Sequence, residues 1–296
     1  MPPLLAVPNV SEGSDSERLE RLRQAFTRGT TLLDRHTDPD HGRSVFTLAG
    51  SPGRLTEALV VGAEEAIETL DMRRYTGAHP AIGALDVCPL VWFQPGDRDA
   101  ARTEAVAVAE QIGGLGLPVF LYGELAREPG RAERAYFRNG GLAELWLRME
   151  SGELRPDFGP AQPHPSAGAT LVTARPPLAA FNVELDSDDV EVARAVAAGL
   201  REAGGGPAGV RAIGLLLSSG RAQVSTNVHD PLAVPLGEIV GRVRALAAPL
   251  GARPLEAELV GLIPGAALAG YPADVPIRGF DPARHTIEAR LAEATD

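Results

Sequence analysis

Twice along this chain the apolar pattern reads strand, helix, strand, strand, helix, strand, and that repeat limits the fold more than any other feature. In the first half, residues 3–8 (PLLAVP) predict a short strand bounded by prolines. Leu19, Leu22, Ala25 and Phe26 then recur at helical spacing over 15–28. Two strands (30–35 and 43–50) follow, joined by the acidic loop HTDPDHG. Ser51-Pro52 opens a helix with the stripe Leu55, Leu59, Ala63, Ile67 and Leu70, and a strand runs over 84–93. A helix (98–113), a very apolar strand (118–122) and a mostly helical, polar stretch (127–154) extend this half. In the second half, Phe181, Val183 and Leu185 alternate with Asn182 and Glu184. Asp186–Asp188 can cap a helix carrying Val192, Ala193, Val196, Ala197 and Leu200. Residues 210–217 and 221–228 predict a hairpin turning at Ser219-Gly220. A helix striped by Leu236, Ile239, Val240, Val243, Leu246, Ala247 and Leu250 leads to a last strand at 255–263, and the tail from 277 reads as a polar appendage.

This order predicts an α/β (α+β) protein of two ferredoxin-like βαββαβ subdomains, each with helices on one face of a mostly antiparallel sheet. A ligand cleft is expected between them. The Pro- and Gly-rich run RPDFGPAQPHPSAGAT (155–170) reads as a rigid connector, giving subdomains 1–172 and 173–296.

At 44% apolar residues the chain can bury a sizeable core, and its formal charge of −11 argues against a nucleic-acid partner. Every basic residue is arginine, so lysine Schiff-base and P-loop chemistry are excluded. A single cysteine, Cys88, allows no intramolecular disulfide and fits a reducing cytoplasm. The start of the sequence lacks the charge and apolar run of a signal peptide, and no stretch reaches the roughly 18 apolar residues of a membrane helix. A cytoplasmic protein without membrane association is expected.

Residues 72–90 (MRRYTGAHPAIGALDVCPL) hold the most suggestive chemistry. His79, clamped against Pro80 in a Gly-rich loop that opens into a strand, is a candidate general base, or else a polar loop residue. His164, His229 and His285 are its rivals. Cys88 could be a nucleophile, but a lone cysteine in mid-strand is usually a small core residue. His36, Asp38, Asp40 and His41 crowd one loop with metal-ligand types. Turn chemistry around Pro39 and Gly42 explains that composition without a metal, and no metal is expected. GGLGLP at 113–118 closes a helix and is no dinucleotide fingerprint.

VPNVSEG (7–13), HPAIGALDVCP (79–89), PVFLYGE (118–124), PDFGP (156–160), PSAGAT (165–170), AFNVEL (180–185), QVSTN (223–227) and ELVGLIP (258–264) together resemble the formiminotransferase family, in order along the chain. The resemblance implies two α/β subdomains flanking a folate tunnel, a homodimer, and transfer of a formimino group from N-formimino-L-glutamate to tetrahydrofolate as co-substrate in histidine degradation. It implies that His79 is the catalytic base, in the family's G-x-H-P-x-x-G-A-L-D motif. It also implies a folate-binding loop made of Asp157, Phe158, Gly159, Pro160, Ala161, Gln162, Pro163, His164, Pro165 and Ser166. Asn9 and Arg43 stand at positions implied to bind substrate.

Familiar members carry Gly-Glu-His-Pro-Arg around the histidine, where this chain has Gly77-Ala78-His79-Pro80-Ala81. Gly42 stands for an asparagine and Pro176 for a lysine. The lost charges motivate two alternatives on the same scaffold: a different formyl or formimino donor, or a catalytically silent folate-binding protein.

Overall fold

A computed structural model describes residues 4–294, so Pro3 of the predicted first strand lies outside the described residues. The chain forms two compact units, the first through Pro176 and the second from Pro177.

In the first unit the opening strand is split into β1 (Leu4–Ala6) and β2 (Asn9–Val10). Pro8 has no N–H for the ladder and interrupts it, yet its carbonyl accepts the Phe46 N–H at 3.0 Å. Helix α1 (Ser16–Phe26) starts where the Asp15 carboxylate accepts the Glu17 and Arg18 amides. The hairpin β3 (Thr31–Asp38) and β4 (Arg43–Gly50) leads to α2 (Arg54–Thr69). The first amides of α2 are capped from another element: Glu104 accepts from Gly53 N at 2.7 Å and Thr56 N at 3.0 Å. Strand β5 (Leu85–Val91), α3 (Arg98–Gly114), β6 (Val119–Leu121), the short helices α4 (Arg134–Arg138) and α5 (Gly141–Glu150), and β7 (Thr170–Arg175) complete the unit.

β3, β4, the β1/β2 segment and β5 are antiparallel neighbours in the ferredoxin-like order. β7 and β6 then add parallel to β5, with Val87 opposite Leu171 and Val119 opposite Thr170. The first sheet is therefore mixed, not mostly antiparallel, and α3 is the crossover that a parallel pair requires. Helices α1–α3 bury one face around Leu22, Phe26, Phe46, Leu59 and Ile112. Helices α4 and α5 cover the other face over Phe120, Phe137, Leu145 and Leu171.

Residues 155–170 are not a connector between the units. They lie inside the first, where Asp157 N–H and Phe158 N–H both donate to the Val119 carbonyl and Ala167 O accepts from Ala84 N at 2.9 Å. Backbone groups of a buried loop need such partners, and a free-standing linker would not supply them.

The second unit contains β8 (Ala179–Leu185), α6 (Val190–Leu200), β9 (Val210–Leu216), β10 (Ala222–Val228), α7 (Leu236–Ala247) and β11 (Pro254–Val260). Its sheet runs β11-β8-β10-β9, all antiparallel, the ferredoxin-like order. Phe181, Val183, Val224 and Ala257 face α6 and α7 in one core. The tail, with α8 (Pro282–His285) and α9 (Ile287–Glu293), is tied down by bridges from Ile277 to Ala257 and Thr286 to Ile263. No helix among the described residues is long and apolar enough to cross a membrane.

Candidate active site

The loop between α2 and β5 begins at a single 3₁₀ turn (Met72–Arg74) capped by Asp71, then runs irregularly to Ala84. Three sets of contacts hold it. The first is the β3–β4 turn: Ala78 N–H donates to Asp40 O at 3.1 Å, and His79 N–H to His41 O at 3.3 Å. The Tyr75 hydroxyl lies 2.9 Å from both the His41 and His79 carbonyls and shares its proton between them. Burial raises the Tyr75 phenol, which stays neutral and able to donate. Only glycines allow this approach. A Cβ on Gly42, already in the left-handed region at φ +64°, would meet Gly77 Cα at 2.6 Å.

The second is Asp86 on β5, which accepts Ile82 N–H at 2.9 Å and ion-pairs with Arg138 from α4. The third is the 157–169 segment: Ser166 O accepts Met72 N–H at 2.7 Å, and Ala169 N–H donates to Ile82 O at 3.0 Å. The His79 loop and the end of the predicted folate loop are thus hydrogen-bonded neighbours.

The His79 imidazole is half-buried, and Arg43 Nη1 stands 3.4 Å from each of its ring nitrogens. Burial pushes the imidazole well below its usual range, and the charges of Arg43, Arg138 and Arg134 push it the same way. It is neutral at neutral pH, with one nitrogen free to accept a proton. Arg134 and Arg138 sit one turn apart on α4, and burial lowers the Arg134 guanidinium, as it does Arg43's. A neutral imidazole among arginines can take a proton from a bound group while the arginines hold an anionic partner.

The other sequence candidates take varied positions. Arg43 is in the site. Asn9 uses its amide locally, donating to Val7 O at 2.8 Å. The Asp157 carboxylate is turned inward, accepting Leu121 N–H at 2.8 Å and pairing with Arg127 and Arg131 at 3.1 and 3.2 Å. Arg131 in turn lies between the Phe120 and Phe137 rings. His164 closes a turn, its Nδ1 accepting Ala167 N–H at 3.0 Å. Pro160, Ala161, Gln162 and Pro165 are exposed, while Phe158, Pro163 and Ser166 are half-buried and Gly159 is exposed beside them. Cys88 is fully buried in the core, and burial pushes its thiol up to about 12, as expected for a structural cysteine. His36 and Asp38 lie in β3, which runs further than the predicted strand, and Asp38 at its end bonds to His41 in the turn that follows. His285 is partnered with Asp281 at the start of α8.

Tyr75, Asp86, Arg134 and Arg138 were not singled out from the sequence. Arg134 and Arg138 did carry a signal, since arginines four residues apart share one helix face. Nothing local says which loop that face meets.

The family model for the formiminotransferase domain, N-terminal subdomain, matches residues 4–175, and that for the formiminotransferase domain matches 180–272. The chain is 36% identical over 270 residues to the glutamate formimidoyltransferase of Streptococcus pyogenes serotype M1, covering 88% of this chain and 89% of that protein. It is 33% identical over 297 residues to the glutamate formimidoyltransferase of Thermoplasma acidophilum, covering 98% and 97%. To the formimidoyltransferase-cyclodeaminase of Rattus norvegicus it is 37% identical over 272 residues, 88% of this chain and 50% of that protein. With both subdomains matched in sequence order, this chain belongs to the formiminotransferase family, a family of transferases.

Proposed function

We propose that this protein is a glutamate formimidoyltransferase that moves the formimino group of N-formimino-L-glutamate to tetrahydrofolate, with His79 as general base. The observation that carries the reading is the His79 imidazole with Arg43 Nη1 3.4 Å from each ring nitrogen, kept neutral by burial and by the field of Arg43, Arg138 and Arg134. The secondary amine of the pterin attacks the formimino carbon and must lose a proton, which the free nitrogen of His79 takes. The imidazolium then protonates the departing glutamate nitrogen as its bond to carbon breaks. The arginines suit the carboxylates of the donor and of the folate. Arg134 and Arg138 supply positive charge where Ala81 replaces the family's arginine, and Ala78 removes a carboxylate, both of which favour an anionic donor.

The segment 157–166 is the proposed folate loop, anchored by Asp157 and offering its exposed middle to the ligand. The reading also puts the protein in the cytoplasm as a homodimer. Purified protein is expected to form 5-formimino-tetrahydrofolate from N-formimino-L-glutamate and to leave other formyl and formimino donors nearly untouched. Folate binding in calorimetry without turnover of any donor would refute the activity.

A further inference from the structure

Asp38 and His41 make a buried pair that the reaction above leaves unused. Asp38 accepts the His41 backbone N–H at 2.9 Å, and its other carboxylate oxygen meets His41 Nδ1 in a short contact. The His41 side chain is 2% exposed, and its Nε2 has no hydrogen-bond partner among the described residues. Burial pushes the Asp38 carboxyl up, but the His41 ring and amide, with the charge of Arg43, outweigh it and hold the carboxyl at about 2. An ionised carboxylate can only accept, so His41 Nδ1 carries a proton, and in the neutral ring Nε2 is then a lone pair that meets no donor among the described residues. A buried acceptor without a donor costs free energy and calls for a reason in the molecule's function. The His79 ring lies 6.3 Å away between centroids, tilted by 54°.

We propose that Asp38, His41 and His79 form a hydrogen-bonded relay in which His41 Nε2 accepts the ring N–H of His79 after a small rotation of the His79 ring. The relay rests on the formimino-transfer reading and deepens it. It decides which His79 nitrogen is the base: the N–H is held toward His41, and the lone pair is left for the amine. As the amine nitrogen bonds to the formimino carbon, its N–H breaks and the proton joins that lone pair. The same proton leaves with the glutamate nitrogen when the carbon–nitrogen bond breaks. His41 keeps its own proton throughout and acts as a positioning residue, as the third member of a catalytic triad does. The arrangement meets a definite need. Arg43, Arg134 and Arg138 all oppose an imidazolium at His79, as a charged His41 would, so the relay requires the neutral His41 ring; Asp86 is engaged by Arg138, and Tyr75 is a neutral phenol. Asp38 is the carboxylate that reaches His79 through another ring.

Side-chain ¹⁵N NMR of the full chain reads ring tautomers without turnover. His41 is expected as the Nδ1–H form and His79 as one dominant tautomer, and Asp38→Asn is expected to mix both. His41→Asn, whose amide still reaches Asp38, is expected to lower kcat by about tenfold or more with KM values little changed. A His41 ring protonated on Nε2, or an Asn variant with full kcat and an unmixed His79 tautomer, would overturn the relay. If Asn at 41 unfolds the chain, the tautomer ratios in Asp38→Asn decide alone. If the wild type turns over no formimino donor, the activity reading fails while the NMR still decides the relay.

Discussion

The His79 amide donates to the His41 carbonyl at 3.3 Å, so the candidate base is pinned by backbone to a turn 38 residues earlier in the chain. Two residues further on, Arg43 at the start of β4 touches the His79 ring. One hairpin thus sets both the position of the imidazole and much of its electrostatics, and several predictions rest on that coupling.

His79→Ala should lower the rate of formimino transfer by about 10²–10⁴-fold, the range that positioned acid–base groups contribute. Thermal unfolding should be little affected, because the ring is half-buried and its side-chain hydrogen-bond contacts are the long ones to Arg43. A steady-state assay alongside a melting curve checks both parts.

The base must be unprotonated to act, so activity should hold at high pH and fall as pH drops through the His79 pKa. Burial and three arginines place that pKa well below 6.5, so the acid limb of kcat/KM should lie well below 6.5. Arg43→Gln removes a repelling cation and should move the limb upward, which a pH–rate profile of both proteins would measure.

Stability should follow the same group. Folded His79 binds a proton less readily than unfolded His79, so below 6.5 the unfolded chain takes up more protons and stability falls with pH. Asp38 acts with the same sign in a lower window, from its ordinary 3.8 down to about 2. Denaturant midpoints across this range should decline with acidity, and His79→Asn should flatten the first part of the slope.

Gly42→Ala places a Cβ 2.6 Å from Gly77 Cα at a left-handed backbone position. It should destabilise the protein by about 1–3 kcal/mol and displace His79, lowering kcat as well. Urea unfolding together with the transfer assay would reveal both losses.

Asp157→Ala should cost about 3–5 kcal/mol, because it strands the buried Arg131 and the Leu121 amide. Gln162→Ala, at an exposed position of the same loop, should change stability by less than about 0.5 kcal/mol. A drop in folate affinity for Gln162→Ala, measured by calorimetry, would then report a direct ligand contact.

Much of the architecture was legible because burial imprints periodicity. The stripe Leu236, Ile239, Val240 and Val243 reads as a helix wherever it occurs, and the alternation of Phe181, Val183 and Leu185 reads as a strand. Strand β7 was not legible, because Thr170–Arg175 adjoins a Pro- and Gly-rich run that reads as a linker. Its parallel pairing with β5 depends on a crossover, which no short window contains. His79 was identifiable as a candidate from its residue type and loop, and the family resemblance marked it further. Asp86, Arg134 and Arg138 were not, since each is an ordinary charged residue in its own segment.

The sequence by itself determined the order of elements and the apolar faces, because helical and strand spacings are local consequences of backbone geometry. Only the tertiary structure decided that residues 155–170 fold back onto the first unit and that α4 brings two arginines to His79. It also decided that Asp38 and His41 bond to each other rather than standing open in a loop. Those outcomes follow from which segments bury one another, and burial between distant segments leaves no period to read.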